Sequence, residues 1–595
     1  MSVFDFDYFQ KYYMNSRPNA PWEKYYAPGD MDLDVEDISI YRFMYKCAED
    51  YMDSVAIEYF GVQITYEEFM EKIDTTARAF LSYGVKKGDV VTILSANVPE
   101  ALYSFYALNR IGAVANLLHP LLSENEIKDA LNTYKSMMLV ALDICYPRIK
   151  NVLDETEVYK TLIISAKDSM PLHLRIGYEL VRGRKEEKPA AGRDFIYWKY
   201  FFNAGKKYHK TLDIEEPFKD DPAVILQSGG TTGVPKGIVL SNGNFNAATM
   251  QAQRALPDLC KEDVILGIMP IFHGFGLEVS INDAFAVGAK VVLIPQFNAK
   301  HFDKLVKQHN PSVLVGVPTL FEAMKNHPGM EDADLSNLKY VIAGGDSFNK
   351  KKVQYINAFL HDHGARTNFT QGFGMTEAVA AVSFDRKDNS KEGSVGIPWP
   401  GTYVKICEPG TDKELPYGEV GEICIFGPTV MLGYYDNEEE TKDTLLVHSD
   451  GNVWLHSGDL GSMEEDGFIT YRQRIKRMII TSGYNVYPAQ IEEVLEKHPA
   501  VSEVTVIGVP HPYKIEVGKV FAVLRDGFDP EAVKEELIEL CKKNLAVYAI
   551  PREWEFCDSL PKTIVGKTDY RKLQEEELER RKKEESEQST KTEQE

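Results

Sequence analysis

The stretch Ser228–Gly237, with the sequence SGGTTGVPKG, constrains this chain more than any other feature. Glycine lets a backbone approach a ligand closely and adopt positive φ at no steric cost, and successive exposed N–H groups form an anion-binding concavity. The order Pro-Lys-Gly differs from the Gly-Lys-Ser/Thr of a Walker A loop, and the apolar runs on both sides predict that the loop joins two strands. The sequence therefore predicts a triphosphate-binding loop. Its predicted ligand contacts are Ser228, Gly229, Gly230, Thr231, Thr232, Gly233 and Lys236.

Composition excludes several classes of protein. The 595 residues exceed one ordinary domain, and 44% hydrophobic with 26% charged residues is typical of a globular protein. Ninety acidic against 67 basic side chains give a net charge of −23, which argues against nucleic-acid binding because that depends on Lys and Arg. The seven cysteines contain no Cys-x-x-Cys pair. Their spacing therefore argues against a disulfide framework or a zinc site and fits a reducing compartment.

Localisation is predicted from two further features. The N-terminus carries acidic residues where a signal peptide would carry basic ones. No apolar run reaches the roughly 18–20 residues of a membrane span. We therefore expect a cytoplasmic protein, with weak peripheral contact to a membrane as the alternative, and no obligate protein partner.

From about residue 55, short β-branched runs alternate with amphipathic segments, which predicts βαβ units in a layered α/β architecture. Residues 166–215 lack a sustained period and are predicted to form an insertion. Their aromatic and basic residues favour a packed flap over a segment that contacts a membrane. After Gly467 the pattern changes to that of a small α+β domain. We predict domains at 1–473 and 474–573, followed by a charged tail at 574–595 that extends a helix briefly and is then disordered.

Further motifs carry groups suited to nucleotide chemistry. NFTQGFGMTE (368–377) offers the flat ring of Phe373, the hydroxyl of Thr376 and the carboxylate of Glu377, an oxygen ligand that suits Mg²⁺. Capping of a helix is the structural alternative for that motif. In WLHSGDLG (454–461), Asp459 can accept two hydrogen bonds from vicinal hydroxyls. Near the C-terminus, Lys567 follows a glycine in TIVGK.

Together these motifs resemble the adenylate-forming superfamily, which includes acyl-CoA synthetases, firefly luciferase and the adenylation domains of non-ribosomal peptide synthetases. The resemblance runs in order from about residue 55 to 573 and includes Gly418–Glu422, Gly433–Tyr435 and Gly483–Pro488. It implies an α/β fold: a large N-terminal lobe of layered sheets with a small β-barrel-like subdomain, and a small, mobile α+β C-terminal domain. It also implies ATP and Mg²⁺ as cofactors and CoA as co-substrate.

The resemblance implies roles for individual residues. Lys567 would bridge the α-phosphate and the attacking carboxylate, Thr376 would contact the α-phosphate, Glu377 would hold Mg²⁺, and Lys476 would be the hinge. Asp459, assisted by Arg474, would bind the ribose. The remaining nucleotide contacts implied are Gly344, Gly345, Asp346, Gln371, Gly372, Phe373, Gly374 and Met375. Phe373 stands where the family more often has tyrosine, Ser457 replaces the usual threonine, and Val565 precedes the Gly-Lys pair.

The substrate is predicted from the motif MPIFHGFGL (269–277), which resembles the acyl-CoA synthetase version. His273 would lie beside the carboxylate and Phe275 would wall the acyl pocket, while Ser482, Gly483 and Tyr484 would approach CoA. Two alternatives stay open: loading of a carrier-protein phosphopantetheine, and a non-catalytic nucleotide-binding scaffold. Glu278 and Asp283 are acids in this stretch with no assigned role. Chain length of the acid and oligomeric state cannot be predicted from the sequence.

Overall fold

The fold is described from a computed structural model. It describes residues 4, 6–181, 187, 194–209, 216–228, 236–345, 350–386, 389–481, 484–511, 515–545, 549–563 and 568–592, with the backbone alone at 228, 476, 480, 484, 485, 515 and 584–592.

The strands are short and alternate with helices along the chain. In the first two-thirds they are β1 Val55–Tyr59, β2 Val62–Thr65, β3 Val90–Leu94, β4 Val114–Leu118, β5 Met138–Leu142, β6 Lys160–Ile164, β7 Phe195–Tyr197, β8 Pro222–Ser228, β9 Lys236–Ser241, β10 Val264–Gly267, β11 Lys290–Leu293, β12 Val313–Gly316, β13 Tyr340–Ala343, β14 Phe369–Phe373, β15 Ser383–Phe384 and β16 Ile397–Pro398. A mostly β stretch follows with β17 Tyr403–Cys407, β18 Gly421–Phe426, β19 Gly433–Tyr434, β20 Leu445–Val447, β21 Val453–Met463 and β22 Ile469–Arg474. The last strands are β23 Ile479–Thr481, β24 Tyr484–Val486, β25 Val501–His511, β26 Ile515–Leu524 and β27 Glu553–Phe556.

The α-helices are α1 Ile40–Ala48, α2 Tyr66–Ser82, α3 Pro99–Arg110, α4 Glu124–Thr133, α5 Tyr146–Ile149, α6 Leu172–Val181, α7 Trp198–Lys207, α8 Asn242–Ala255, α9 Asp283–Ala286, α10 Phe302–His309, α11 Pro318–Lys325, α12 Lys350–Asp362, α13 Glu438–Thr444, α14 Pro488–Leu495, α15 Pro530–Asn544 and α16 Tyr570–Thr592. A π-helical segment covers Phe275–Asn282. Short 3₁₀ turns cover Pro21–Tyr25, Glu49–Tyr51, Asp143–Cys145, Leu153–Glu155, Ala299–His301, Pro328–Met330, Thr376–Ala378 and Ile475–Arg477.

The chain divides into two compact units. The first comprises residues 1–405, 424–457 and 463–469, and the second comprises 406–423, 458–462 and 470–595. The second unit therefore includes residues on both sides of the predicted boundary at 473/474.

Two large sheets form the first unit. One has the order β19-β9-β8-β4-β3-β5-β6-β7, and the other β16-β15-β14-β13-β12-β10-β11-β1-β2. Their central strands are parallel. Antiparallel pairs lie at the β19-β9-β8 edge of the first sheet and at both edges of the second. Continuous apolar runs such as β3 (VVTIL) are buried along their whole length, as expected for parallel strands covered on both faces. The predicted α/β class is confirmed.

The segment predicted as an insertion is partly built into the first unit. Strand β7 pairs in parallel with β6 at the sheet edge. Helix α7 packs on α2 so closely that a Cβ at Gly205 would overlap the carbonyl of Thr75. Helix α6 differs, because its apolar side chains Leu172, Ile176 and Val181 are exposed. The packed-flap interpretation therefore holds for α7 and not for α6.

The second unit contains the sheet β24-β23-β26-β25, with β27 pairing β26, and helices α14–α16. Here the structure corrects the expectation of a disordered tail, because α16 continues through residue 592. The reason is a buried ion-pair network: Glu577, 4% exposed, lies 3.0 Å from the Lys519 ammonium and 2.8 Å from the Arg581 guanidinium. A charge-rich composition does not reveal that one of its acids is buried against a partner.

Among the described residues, no helix is both long enough and apolar enough to span a membrane.

Candidate active site

The glycine-rich loop joins β8 to β9, as predicted. The two strands are antiparallel and in register up to the pair Ser228–Lys236. Directly after β9, Ser241 and Asn244 form a reciprocal cap at the start of α8, which fixes where the hairpin ends. Residues 229–235, and so the predicted phosphate contacts Gly229, Gly230, Thr231, Thr232 and Gly233, lie outside the described residues.

Lys236, at the end of this loop, lies among charged and aromatic groups. Its ammonium forms an ion pair with Glu440 of α13 and lies 5.1 Å from the centre of the Tyr434 ring. The lysine side chain is 15% exposed. An anionic ligand at this ammonium would compete with Glu440, since both are negative charges that pair with one cation.

Tyr434 connects Lys236 to Glu377. It lies on β19 opposite Ile238 of β9, and its hydroxyl donates to Oε1 of Glu377 at 3.0 Å. Burial, and then the Glu377 charge, raise the pKa of Tyr434 well above its usual range, so the hydroxyl stays a donor. Tyr434 therefore lies next to both Lys236, the predicted phosphate-binding lysine, and Glu377, the predicted Mg²⁺ ligand. The sequence contains the signal, Gly433–Tyr435, but does not reveal this role.

The carboxylate of Glu377 fits an oxygen ligand for Mg²⁺. Within the described ranges, Tyr434 is its one hydrogen-bond partner, and the carboxylate is half-buried. Its backbone is held in place because its carbonyl accepts from the N–H of Met431 at 2.8 Å. Mg²⁺ takes few protein carboxylates and binds substrate phosphates as well, so one positioned carboxylate is a suitable donor.

The turn that carries Thr376 and Glu377 has a strained neighbour. Val379 has φ 66°, a conformation that is an outlier for a β-branched residue and that clusters at functional sites. A Cβ at Gly374 would overlap the carbonyl of Ala380. The packing of its own turn therefore requires a glycine at 374, and the contact of Gly374 with the nucleotide stays a prediction. Phe373 is 7% exposed, which leaves little of its ring face for a purine.

The predicted acyl-pocket residues lie against the same turn. A Cβ at Gly274 would overlap the carbonyl of Val379, and a Cβ at Gly344 would lie 3.1 Å from the Phe275 ring. His273, half-buried, accepts at its carbonyl from the N–H of Leu277 at 2.9 Å, at the start of the π-helical segment. The segment 273–275 thus meets both the 376–379 turn and the 344–345 turn. Gln371 and Gly372 lie at the end of β14, and Met375 precedes the 376–378 turn.

The two unassigned acids of the π-helical region are buried. Glu278 is 2% exposed and accepts from the Thr249 hydroxyl at 2.8 Å and from the Asn282 amide at 3.1 Å. Asp283 is 5% exposed. Burial raises the pKa of Glu278 to about 7. The Glu278 carboxylate is thus occupied by side chains of its own surroundings, and neither acid is exposed to a substrate amine.

In the second unit, Asp459 lies beside Arg474, and their predicted contact with the ribose stays a prediction. The Asp459 carboxylate, 1% exposed, lies 3.0 Å from Nε of Arg474. Glu422 holds the adjoining turn, since its carboxylate accepts from the N–H of Gly458 and from that of Gly410, both at 3.0 Å. The sequence contains Glu422 within Gly418–Glu422 without revealing this role.

Several predicted residues cannot be placed. Asp346, Ser482, Gly483 and Lys567 lie outside the described residues. The backbone of Lys476 lies in the 475–477 turn and that of Tyr484 begins β24, and their side chains are not described. The roles of Lys567 as catalytic cation, of Lys476 as hinge and of 482–484 in CoA binding stay predictions.

Comparison with known proteins gives the family. The family model "AMP-binding enzyme" matches residues 44–435, and "AMP-binding enzyme C-terminal domain" matches residues 490–567. A long-chain-fatty-acid–CoA ligase of Bacillus subtilis is 33% identical over 568 residues, covering 94% of this chain and 98% of its own. A long-chain-fatty-acid–CoA ligase of Escherichia coli is 30% identical, covering 88% and 92%. The crystal structure of ATP-bound MatB from Rhodopseudomonas palustris superposes with a TM-score of 0.78 at 24% identity, covering 91% of this chain and 99% of that one.

The chain belongs to the AMP-binding enzyme family. Within it, the chain lies in the acyl-CoA synthetase branch of the adenylate-forming enzymes and is an AMP-forming acid–CoA ligase. The predicted fold of a large N-terminal part and a small C-terminal domain is confirmed.

Proposed function

We propose that this ligase activates a medium- or long-chain fatty acid as acyl-AMP and transfers the acyl group to CoA. In the first step a carboxylate oxygen bonds to the α-phosphorus of ATP and pyrophosphate leaves. In the second, the CoA thiol bonds to the acyl carbon and AMP leaves. The observation that carries the proposal is the Lys236–Tyr434–Glu377 cluster beside the glycine-rich loop.

The first step brings two anions together, so positioning and positive charge dominate its catalysis. Lys236 and the hydroxyls of Thr231 and Thr232 bind the β- and γ-phosphates in this proposal, with Lys236 exchanging Glu440 for phosphate. Glu377 would hold Mg²⁺, which when bound neutralises phosphate charge. Tyr434 fixes the orientation of that carboxylate. Lys567 supplies the cation at the α-phosphate.

Two observations support an apolar acid as substrate. The acids nearest the predicted acyl pocket, Glu278 and Asp283, are buried and leave no exposed carboxylate in that stretch for an amino-acid substrate. The two curated relatives described above, which align along almost their whole length, are named for long-chain fatty acids. Phe275, half-buried against Gly344, is the candidate wall of the pocket.

The experiment is AMP release over a panel of short, medium, long and aromatic acids with ATP and Mg²⁺. Each acid is tested with CoA and with a phosphopantetheinyl carrier protein as acceptor. We expect CoA-dependent AMP release that is greatest with medium or long chains. Greater AMP release with the carrier protein than with CoA would identify the carrier protein as the acceptor. If no acid in the panel supports pyrophosphate exchange, the result would favour the non-catalytic scaffold instead.

A further inference from the structure

A buried cluster of one thiol and two imidazoles lies in the first unit. Cys424 is on β18, His456 is on β21, and His448 directly follows β20. All three are buried, at 0%, 8% and 3% exposure. None takes part in the proposed reaction. The cysteine spacing argued against a zinc site, but these ligands come from separate elements that the fold brings together.

The ligand atoms are close enough to share one ion. All three lie within 4.8 Å of one another. Nε2 of His448 and Nε2 of His456 are 2.8 Å apart, and Sγ of Cys424 is 3.7 Å from Nδ1 and 3.8 Å from Nε2 of His456. Tetrahedral Zn²⁺ with its usual bond lengths separates two nitrogen ligands by about 3.3 Å and a nitrogen from a sulfur by about 3.6 Å. An ion would therefore require the imidazoles to move apart by about 0.5 Å and would hold Cys424 and His448, whose ligand atoms lie within 4.8 Å, at about 3.6 Å.

The surroundings fix the ring of His448. Its backbone N–H donates to the carbonyl of Asn452 at 3.0 Å, across the β20–β21 hairpin. Its ring stacks on the indole of Trp454, with centroids 5.6 Å apart and planes at 25°. The Trp454 N–H in turn donates to Asp450 at 3.0 Å. These contacts restrict the rotation of the His448 ring.

We propose that Cys424, His448 and His456 form a binding site for a thiolate-preferring divalent cation, Zn²⁺, separate from the Mg²⁺ of the reaction. Binding forms one bond to sulfur and two to nitrogen, and the thiol releases one proton. The hydrogen bond between the two imidazoles is lost, and its proton moves to the other nitrogen of the same ring. Three protein ligands leave a fourth position for water. Because thiolate is required, affinity rises with pH.

The test uses the full-length protein after chelation and dialysis, titrated with Co²⁺ as a spectroscopic probe and then with Zn²⁺. We expect uptake of one Co²⁺ per chain with a thiolate-to-cobalt charge-transfer band and the visible bands of a tetrahedral site, both displaced by Zn²⁺. Cys424→Ser should abolish the charge-transfer band, and His448→Ala should weaken binding at least about tenfold. The matched control is Cys407→Ser, because Cys407 is an equally buried thiol on β17 and its loss should change neither band.

If wild-type protein does not take up a stoichiometric amount of Co²⁺, that result alone overturns the proposal. So does a charge-transfer band that persists in Cys424→Ser or disappears in Cys407→Ser. Should Cys424→Ser fail to fold by circular dichroism, Cys424→Ala provides the same comparison with an apolar side chain. As a second readout, Zn²⁺ in excess should raise the unfolding midpoint of wild type and Cys407→Ser but not of the Cys424 variants, since a ligand stabilises only the fold that binds it.

Discussion

Replacing Tyr434 with phenylalanine removes one hydroxyl and keeps the ring that lies beside Lys236. The lost contact is the 3.0 Å hydrogen bond to the Glu377 carboxylate. Hydrogen bonds to charged groups contribute about 1.5–3 kcal/mol, which corresponds to roughly a 10- to 150-fold change in rate or binding. Since Glu377 is only half-buried, water can replace part of the contact. We therefore expect the lower end, about a tenfold fall.

The assay is kcat/KM for ATP at saturating acid and CoA, repeated across a titration of Mg²⁺. A misoriented carboxylate should raise the Mg²⁺ concentration needed for half-maximal rate. Tyr435→Phe is the matched control, because Tyr435 is equally buried, packs on Phe4 and Tyr134, and its hydroxyl has no hydrogen-bond partner among the described residues. Unchanged kcat/KM in Tyr434→Phe, or an equal loss in Tyr435→Phe, would refute the assigned role.

Three further predictions concern other residues. Lys567→Ala should reduce pyrophosphate exchange about 10²–10³-fold yet spare thioester formation from supplied acyl-AMP; normal exchange would exclude its role. Lys476→Pro should uncouple the two half-reactions, so unchanged overall turnover would count against a hinge there. Burial of Glu100, and then the charge of Asp168, raise the pKa of Glu100 to about 8, so its contribution to stability is present below about pH 4.5 and is lost as pH rises towards 8. In Glu100→Gln, the free energy of unfolding should fall less steeply with pH than in wild type, where the slope reaches at most about 1.4 kcal/mol per pH unit. Chemical denaturation from pH 5 to 8 measures both slopes, and equal slopes in the two proteins would contradict the prediction.

Local patterns predicted much of the secondary structure. Strands β3 and β13 coincide with short β-branched runs of the kind that predicted the alternating architecture, and the glycine-rich loop connects β8 and β9 as expected. These predictions succeed because buried parallel strands are continuous apolar runs bounded by turn residues. The tail helix α16 is longer than the brief extension expected, because its anchoring depends on Glu577 pairing with Lys519, a contact 58 residues distant in sequence.

The sequence likewise predicted some residues of the candidate site and not others. The motifs identified Lys236, Glu377, Asp459 and Arg474, and the structure places each beside charged or polar partners. Tyr434 could not be assigned a role, because its position beside Lys236 follows from the pairing of β19 with β9 across almost 200 residues of sequence. The sequence also does not reveal that the packing of its own turn requires a glycine at 374, because that depends on the approach of the Ala380 carbonyl.

The most direct test of the proposed activity is the half-reaction without acceptor. Purified protein is incubated with ATP, Mg²⁺, labelled pyrophosphate and a long-chain fatty acid, in the absence and then the presence of CoA. We predict acid-dependent exchange of label into ATP without CoA, and stoichiometric AMP and acyl-CoA once CoA is added. Exchange that does not depend on the acid, or ATP consumption that yields ADP and phosphate, would contradict activation of a carboxylate as its adenylate.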